Sequence, residues 1–175
     1  MSKMRKIIFL DIDGVLATNK CVKMGLWSLC DDKQKLLGEI LDKTGAELVI
    51  SSSWRKHTLE DTIEYFKKEG FWFCDKIVGI TIRGYHYLDR TQEIHLSIPR
   101  GVEIKQWVDT HIHSDNGKDY KRLELGVDWN YLILDDAVDM LLEHRKNFVN
   151  TNCFIGLTKP KVKRSIKILN QTENK

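Results

Sequence analysis

Two pairs of acids in this 175-residue chain stand where they could do chemistry together. Asp11 and Asp13 lie one residue apart, directly after the apolar run Ile7-Ile8-Phe9-Leu10, and Gly14 follows them. Asp135 and Asp136 lie side by side after Tyr131-Leu132-Ile133-Leu134. Carboxylates this close, with no basic residue between them, repel one another. A hard divalent cation such as Mg²⁺, which takes oxygen ligands, relieves that repulsion. A third run, Glu47-Leu48-Val49-Ile50, ends in the hydroxyls of Ser51-Ser52-Ser53, and the cations Arg100 and Lys105 stand near the start of a later helical stretch. Hydroxyls and a cationic side chain are what a phosphate group needs. A carboxylate meets a phosphate dianion at a cost of several kcal/mol in a partly buried site. Once metal and cation offset that cost, the carboxylate can act as a nucleophile.

These residues cooperate only if the fold brings them to one edge. Each apolar run reads as a short strand of a parallel sheet covered on both faces, and such sheets bind ligands at the C-terminal ends of their strands. The run at 47–50 follows the first after a single helix. A right-handed crossover therefore sets the serines at the edge that holds Asp11 and Asp13. That helix starts with Asp31 as its cap, carries Leu36, Leu37, Ile40 and Leu41 at helical spacing, and closes at Gly45. Thr58 opens a second helix, through Ile63 and Phe66 to Gly70, with Phe71-Trp72-Phe73 as core material beyond it. Ile77 to Ile82 reads as a further strand. Arg83 to Pro99 reads as a long loop or hairpin, of the length that tends to be functional. Arg100-Gly101 precedes a helix with Val102, Trp107 and Val108, and His113 to Asn130 is a polar surface excursion. After Asp136 a helix is expected with Met140, Leu141 and Leu142, and Asp139 in its first turn would suit the helix dipole. Phe148-Val149 is a weak strand. Thr158 and Pro160 open a last helix whose stripe is Val162, Ile166 and Leu169, with its lysines on the solvated face. Ala17 to Cys30 shows no clear period. The expected fold is thus α/β, a Rossmann-like parallel sheet with helices on both faces, in a single domain over 1–175.

Composition limits the function classes. The net charge of +3 is mild and does not by itself demand nucleic acid. The four cysteines, Cys21, Cys30, Cys74 and Cys153, form no CxxC pair, which argues against a zinc ribbon or a disulfide scaffold and suits a reducing cytoplasm. No stretch is long and apolar enough to span a membrane, and the first apolar run ends at Asp11, too soon for a secretory signal. No obligate protein partner is evident.

On these residues the chain resembles the haloacid dehalogenase-like (HAD) phosphohydrolase superfamily. Asp11-Ile12-Asp13-Gly14-Val15 matches its DxDGx motif, Ile50 to Ser53 its hydroxyl at a strand end, and Leu134-Asp135-Asp136 its paired acid. More narrowly, Ser-Ser-Trp-Arg, Arg100-Gly101 with Glu103-Ile104 and Trp107, and Gly156-Leu157-Thr158 resemble the HAD domain family of Swiss-army-knife RNA repair proteins. The resemblance implies that Asp11 attacks phosphorus and becomes an aspartyl-phosphate. Asp13 would protonate the leaving oxygen and then take a proton from the hydrolytic water. Asp11, the backbone carbonyl of Asp13, and Asp136 would hold Mg²⁺, with Asp135 bracing the site. Ser52 would bind the phosphoryl group, with Ser51 or Ser53 as alternatives. The motif cation is Arg100 or Lys105, and Arg100 is favoured because it directly precedes its helix.

Three other readings compete. A receiver-type signalling domain also uses acids and Mg²⁺, but its phosphorylated Asp ends a middle strand, where this chain has serines. A non-catalytic phosphate-binding domain and a HAD phosphatase of small metabolites such as sugar phosphates are the others. The intervals between Leu16 and Leu48 and between Arg55 and Arg100 leave no room for an independent cap core. A capless, open cleft is therefore expected, edged by the Arg83 to Arg90 loop with Tyr85 and Tyr87. Such a cleft favours a phosphate at the end of a nucleotide or nucleic acid, where aromatics and arginines could stack a base and hold a backbone phosphate.

Overall fold

The computed structural model describes residues 4–23, 26–87, 95–112 and 129–171. Its strands are β1 (Arg5–Leu10), β2 (Ala17–Lys23), β3 (Leu26–Leu29), β4 (Glu47–Ile50), β5 (Ile77–Ile80), β6 (Tyr85–Tyr87), β7 (His95–Ser97), β8 (Trp129–Asp135) and β9 (Phe148–Asn150). Its helices are α1 (Asp31–Thr44), α2 (Leu59–Lys68), α3 (Arg100–Ile112) and α4 (Lys159–Asn170). Five strands form one sheet in the order β5-β4-β1-β8-β9, and every neighbouring pair is parallel. β1 lies in the middle, so the acids that follow it are flanked by the ends of β4 and β8.

The strand runs are apolar throughout because both faces are covered. Ile8, Leu10, Leu48, Ile50, Leu132 and Leu134 point to one face, where they meet Leu37, Ile40, Phe66, Val162 and Leu169 from α1, α2 and α4. Ile7, Phe9, Val49 and Ile133 point to the other, against Ile104 and Trp107 of α3. Alternation along each strand thus feeds two cores. The fold is the expected α/β, Rossmann-like sheet. No separate cap domain interrupts it among the described residues. The interval after β1 holds the β2–β3 hairpin and α1, and the interval after β4 holds α2, a 3-10 turn at Cys74–Lys76, β5 and the β6–β7 hairpin. No helix is long and apolar enough to cross a membrane among the described residues.

Local signals hold in part. Gly45 closes α1 in the left-handed conformation (φ 65°), and the Thr58 side chain accepts a bond from the Asp61 amide to open α2. Asp31 does not cap α1, however. Cys30 holds the cap position, and Asp31 and Asp32 sit in the first turn, where their charge meets the helix dipole. Ala17 to Cys30, without period in sequence, is the β2–β3 hairpin, and it brings Cys21 and Cys30 together as a disulfide. That pairing runs against the expectation drawn from scattered cysteines. The hairpin closes a gap that spacing alone does not reveal.

The helix expected after Asp136 is also absent. The chain runs irregularly to a 3-10 turn at Leu142–Lys146. Val138 and Leu142 are exposed, so no apolar stripe exists to bury a helix there. Asp139 instead serves α3: its carboxylate accepts from the Arg100 amide (2.9 Å) and its carbonyl from the Gly101 amide (3.3 Å). Gly101 is needed for this approach, since a Cβ there would lie 2.4 Å from the Leu141 nitrogen. Buried His144 completes the join, with Nε2 3.1 Å from the Gly101 carbonyl oxygen. The segment after β8 thereby fixes the first turn of α3, and with it Arg100. Residues 88–94, which include Arg90 of the expected cleft edge, and most of the polar excursion, at 113–128, lie outside the described residues.

Candidate active site

Backbone pairing continues one residue past the strand ends, which locks the site residues in a row. The Asp11 amide donates to the Leu134 carbonyl (2.9 Å), Ser51 to Leu10 (3.0 Å), Thr81 to Ile50 (3.0 Å) and Thr151 to Asp135 (2.9 Å). Thr81, Ser51, Asp11, Asp135 and Thr151 thus stand along the C-terminal edge of the sheet, all buried. Four of them hold a buried side-chain oxygen with no hydrogen-bond partner: Ser51 Oγ, Thr81 Oγ1, Asp135 Oδ2 and Thr151 Oγ1. Buried polar atoms are ordinarily paired, so orphans gathered on one edge suggest groups waiting for a ligand.

Carboxylate oxygens of Asp11, Asp135 and Asp136 lie within 4.8 Å of one another. Gly14 makes this possible. Its φ is +67°, and a Cβ there would come within 2.2 Å of Asp136 Oδ2. Burial pushes the Asp11 carboxyl above the ordinary carboxylate range, against the pull of Arg100 and the Ser52 hydroxyl. Burial raises Asp135 as well, with neighbouring Asp11 adding to the shift, and Asp136 also shifts upward through burial. Three carboxylates held at the expense of their charged forms, one with an orphaned oxygen, fit a hard cation with oxygen ligands. A cation there would reverse each of those shifts.

Arg100 faces this cluster. Its guanidinium lies 3.4 Å from Asp135 Oδ2, 3.5 Å from Glu103 Oε2 and 3.9 Å from Asp11 Oδ1. The Asp135 contact is an attraction of charge without hydrogen-bond geometry. Lys105 is not brought to this edge. It is exposed one turn along α3 and pairs with Asp109 and Glu143.

The serines divide. The Ser52 hydroxyl accepts from the Trp54 amide (3.3 Å) and lies near enough to the Asp11 carboxyl to oppose its upward shift. Ser51 Oγ is buried and unpartnered, and exposed Ser53 donates to Asp13 Oδ2 (3.1 Å). The indole of Trp54 donates to Asp13 Oδ1 (2.9 Å). The Asp13 side chain is therefore held toward the serine loop, apart from the three-carboxylate cluster.

Trp54, Arg55 and Glu103 enter the sequence reading only as motif residues of the family resemblance, and Asp139 only as a dipole partner of a helix that is absent; none of the four is expected at the site itself. Arg55 and Glu103 form a buried ion pair (2.7 Å). Arg55 also donates to the carbonyls of Ser52 and Ile82, and Glu103 accepts from the Gly84 amide (3.1 Å). The pair ties the serine loop to the helix that carries Arg100. Its members are far apart in sequence, and an indole N–H leaves no trace in a hydrophobic pattern. The one available signal was that Trp54 and Arg55 directly follow the serines and Glu103 lies one helical turn beyond Arg100.

A family model described as the HAD domain in Swiss Army Knife RNA repair proteins matches residues 7–162. No curated protein and no solved structure matches the chain. The family match covers most of the chain and every element that supplies the site, and the chain belongs to that family.

Proposed function

We propose that this HAD-family domain is a Mg²⁺-dependent phosphomonoesterase that works through an aspartyl-phosphate on Asp11, with the phosphate end of a nucleotide or nucleic acid as its substrate. The observation that carries the reading is the division of the two motif acids. Asp11 lies among the carboxylates and beneath Arg100, while Asp13 is turned aside onto Trp54 and Ser53. This division supports a reading in which one acid attacks and the other moves a proton.

Asp11 and Asp136, with the Asp13 carbonyl, would hold the metal, and Asp135 braces them. Bound Mg²⁺ would supply positive charge at the phosphoryl oxygens. Arg100 and the Ser52 hydroxyl orient the phosphoryl group for Asp11 Oδ, whose attack breaks the bond to the leaving oxygen. Asp13 gives that oxygen a proton, then receives one from the water that hydrolyses the aspartyl-phosphate. Ser51 and Ser53 are the alternatives to Ser52 at the phosphoryl group.

An edge without a cap among the described residues supports a substrate whose phosphate ends a larger molecule, and the RNA-repair description of the family points the same way. Hydrolysis of p-nitrophenyl phosphate with and without Mg²⁺ tests the class. Activity should need the metal and vanish in Asp11→Asn. Turnover of 3′- or 5′-phosphorylated oligonucleotides should exceed that of hexose phosphates, and the reverse order would reject the substrate.

A further inference from the structure

We propose that a second anion site lies beside the first, formed by Arg83, Lys56 and His57, and that it holds another phosphate group of the substrate while the terminal phosphate is at Asp11. The inference rests on the terminal-phosphate reading above and extends it.

Two cavities share the wall made by Ser53, Arg55 and Arg83. The inner one, of about 190 Å³, is lined by Arg100 and so adjoins the phosphoryl site. The outer one, of about 520 Å³, opens past Arg83 to Lys56, His57 and Thr81, and no carboxylate lines it. Arg83 stands on the wall common to both cavities. Arg83, Lys56 and His57 are all exposed, and none is paired with a carboxylate among the described residues. Arg83 is nevertheless placed, because its Nη2 donates to the Ser53 carbonyl (2.7 Å). Lys56 rests over the Tyr65 ring, with Nζ 3.6 Å from the centroid.

The second observation is Thr81. It follows β5 on the edge that holds Ser51 and Asp11, and it lines the outer cavity. Its hydroxyl is buried without a partner. An unpartnered hydroxyl lining the same cavity as an arginine, a lysine and a histidine, none paired with a carboxylate among the described residues, matches an acceptor-only, multiply charged ligand, which a phosphate is. Arginine in a fixed position gives geometry, lysine adds charge that follows a backbone rather than a base, and histidine offers a ring N–H.

The two possible sources are the other phosphate of a nucleoside bisphosphate and the neighbouring phosphodiester of an oligonucleotide. Binding to the full chain carrying Asp11→Asn separates them without turnover. The probes are a nucleoside 3′-monophosphate, a nucleoside 3′,5′-bisphosphate and a short 3′-phosphorylated oligonucleotide. The bisphosphate, the oligonucleotide or both should bind at least about tenfold tighter than the monophosphate, the weight of one charge-assisted hydrogen bond. Adding Arg83→Ala or Lys56→Ala should remove most of that advantage, while Arg83→Lys keeps part of it. A gain for the bisphosphate makes any second phosphate sufficient, and a gain for the oligonucleotide alone assigns the site to a phosphodiester. Equal affinity for all three probes, or an advantage that survives both alanine substitutions, would overturn the second site and leave the first intact. Failure of all three to bind would remove both.

Discussion

Two arginine–glutamate pairs clamp this sheet, one at each end, and they differ in what surrounds them. Arg5 and Glu47 join the starts of β1 and β4, and their side chains are 25% and 32% exposed. Arg55 and Glu103 join the serine loop to α3 beside Asp11, at 3% and 4%. The first pair is half-buried, keeps contact with water and closes a strand edge. The second has left water, and desolvating two charges cancels much of their attraction. A buried pair is thus a poor choice for stability alone. What it does here is position: Arg55 holds the Ser52 carbonyl, and Glu103 reaches both Arg100 and the Gly84 amide. The same chemistry closes the sheet at one end and shapes a reactive site at the other.

The sharpest break of this contrast is to remove one glutamate at a time. Glu103→Ala leaves a buried guanidinium unpaired and should cost about 3–5 kcal/mol of stability, whereas Glu47→Ala at the half-buried pair should cost only about 1 kcal/mol. Urea unfolding midpoints of the two variants give the comparison. Similar losses would mean that burial does not distinguish the pairs.

Next in size is the cation that Glu103 helps place. Arg100→Ala should lower turnover of p-nitrophenyl phosphate about 10²–10³-fold, as losing a preorganised donor to a developing charge does. Lys105→Ala, on the exposed face of α3, should change it far less. A larger loss at Lys105 would reverse the assignment.

Metal binding should sharpen the contrast through pH. Asp11 is raised from 3.8 to about 6, so over that window the fold holds a proton that the unfolded chain has released. Stability of the metal-free protein therefore falls as pH rises from 3.8 to about 6, and raised Asp135 carries the fall on to about 8, which is the sign expected of raised carboxyls. Added Mg²⁺ should raise the melting temperature more at about pH 7 than at about pH 4, where protons compete for the same oxygens. An equal shift at both pH values would place the ion elsewhere.

The smallest effect concerns Trp54. Trp54→Phe keeps the ring contacts with Tyr65 and Phe66 but loses the N–H that holds Asp13. Phosphate esters with a poor leaving group should slow about tenfold, a fraction of what general acid catalysis provides. p-Nitrophenyl phosphate, whose leaving group needs no proton, should slow much less. A uniform loss across leaving groups would mark Trp54 as packing only.

Much of this site was legible because its carriers are local. An apolar run followed by Asp-x-Asp-Gly, or by serines, or by Asp-Asp, marks a strand end and its chemistry in a few residues. What the sequence hid is non-local or chemically disguised. The Arg55–Glu103 pair and the Asp139 cap on α3 join segments far apart in the chain. The Cys21–Cys30 bridge depended on a hairpin whose strands carry no alternating pattern. Arg100 and Lys105 are equally cationic; the helix start that already favours Arg100 in the sequence is fixed by Asp139, and five residues along a helix turn Lys105 well away from the edge.

The account stands on Asp11 as the atom that takes the phosphoryl group. The direct measurement is to mix the wild-type protein with Mg²⁺ and a phosphorylated oligonucleotide, quench in acid during turnover, and map the phosphorylated peptide by mass spectrometry. The account predicts a hydroxylamine-labile phosphate on Asp11, absent without Mg²⁺ and absent in Asp11→Asn. Phosphate found on another residue, or an Asp11→Asn variant that turns over at the wild-type rate, would contradict it.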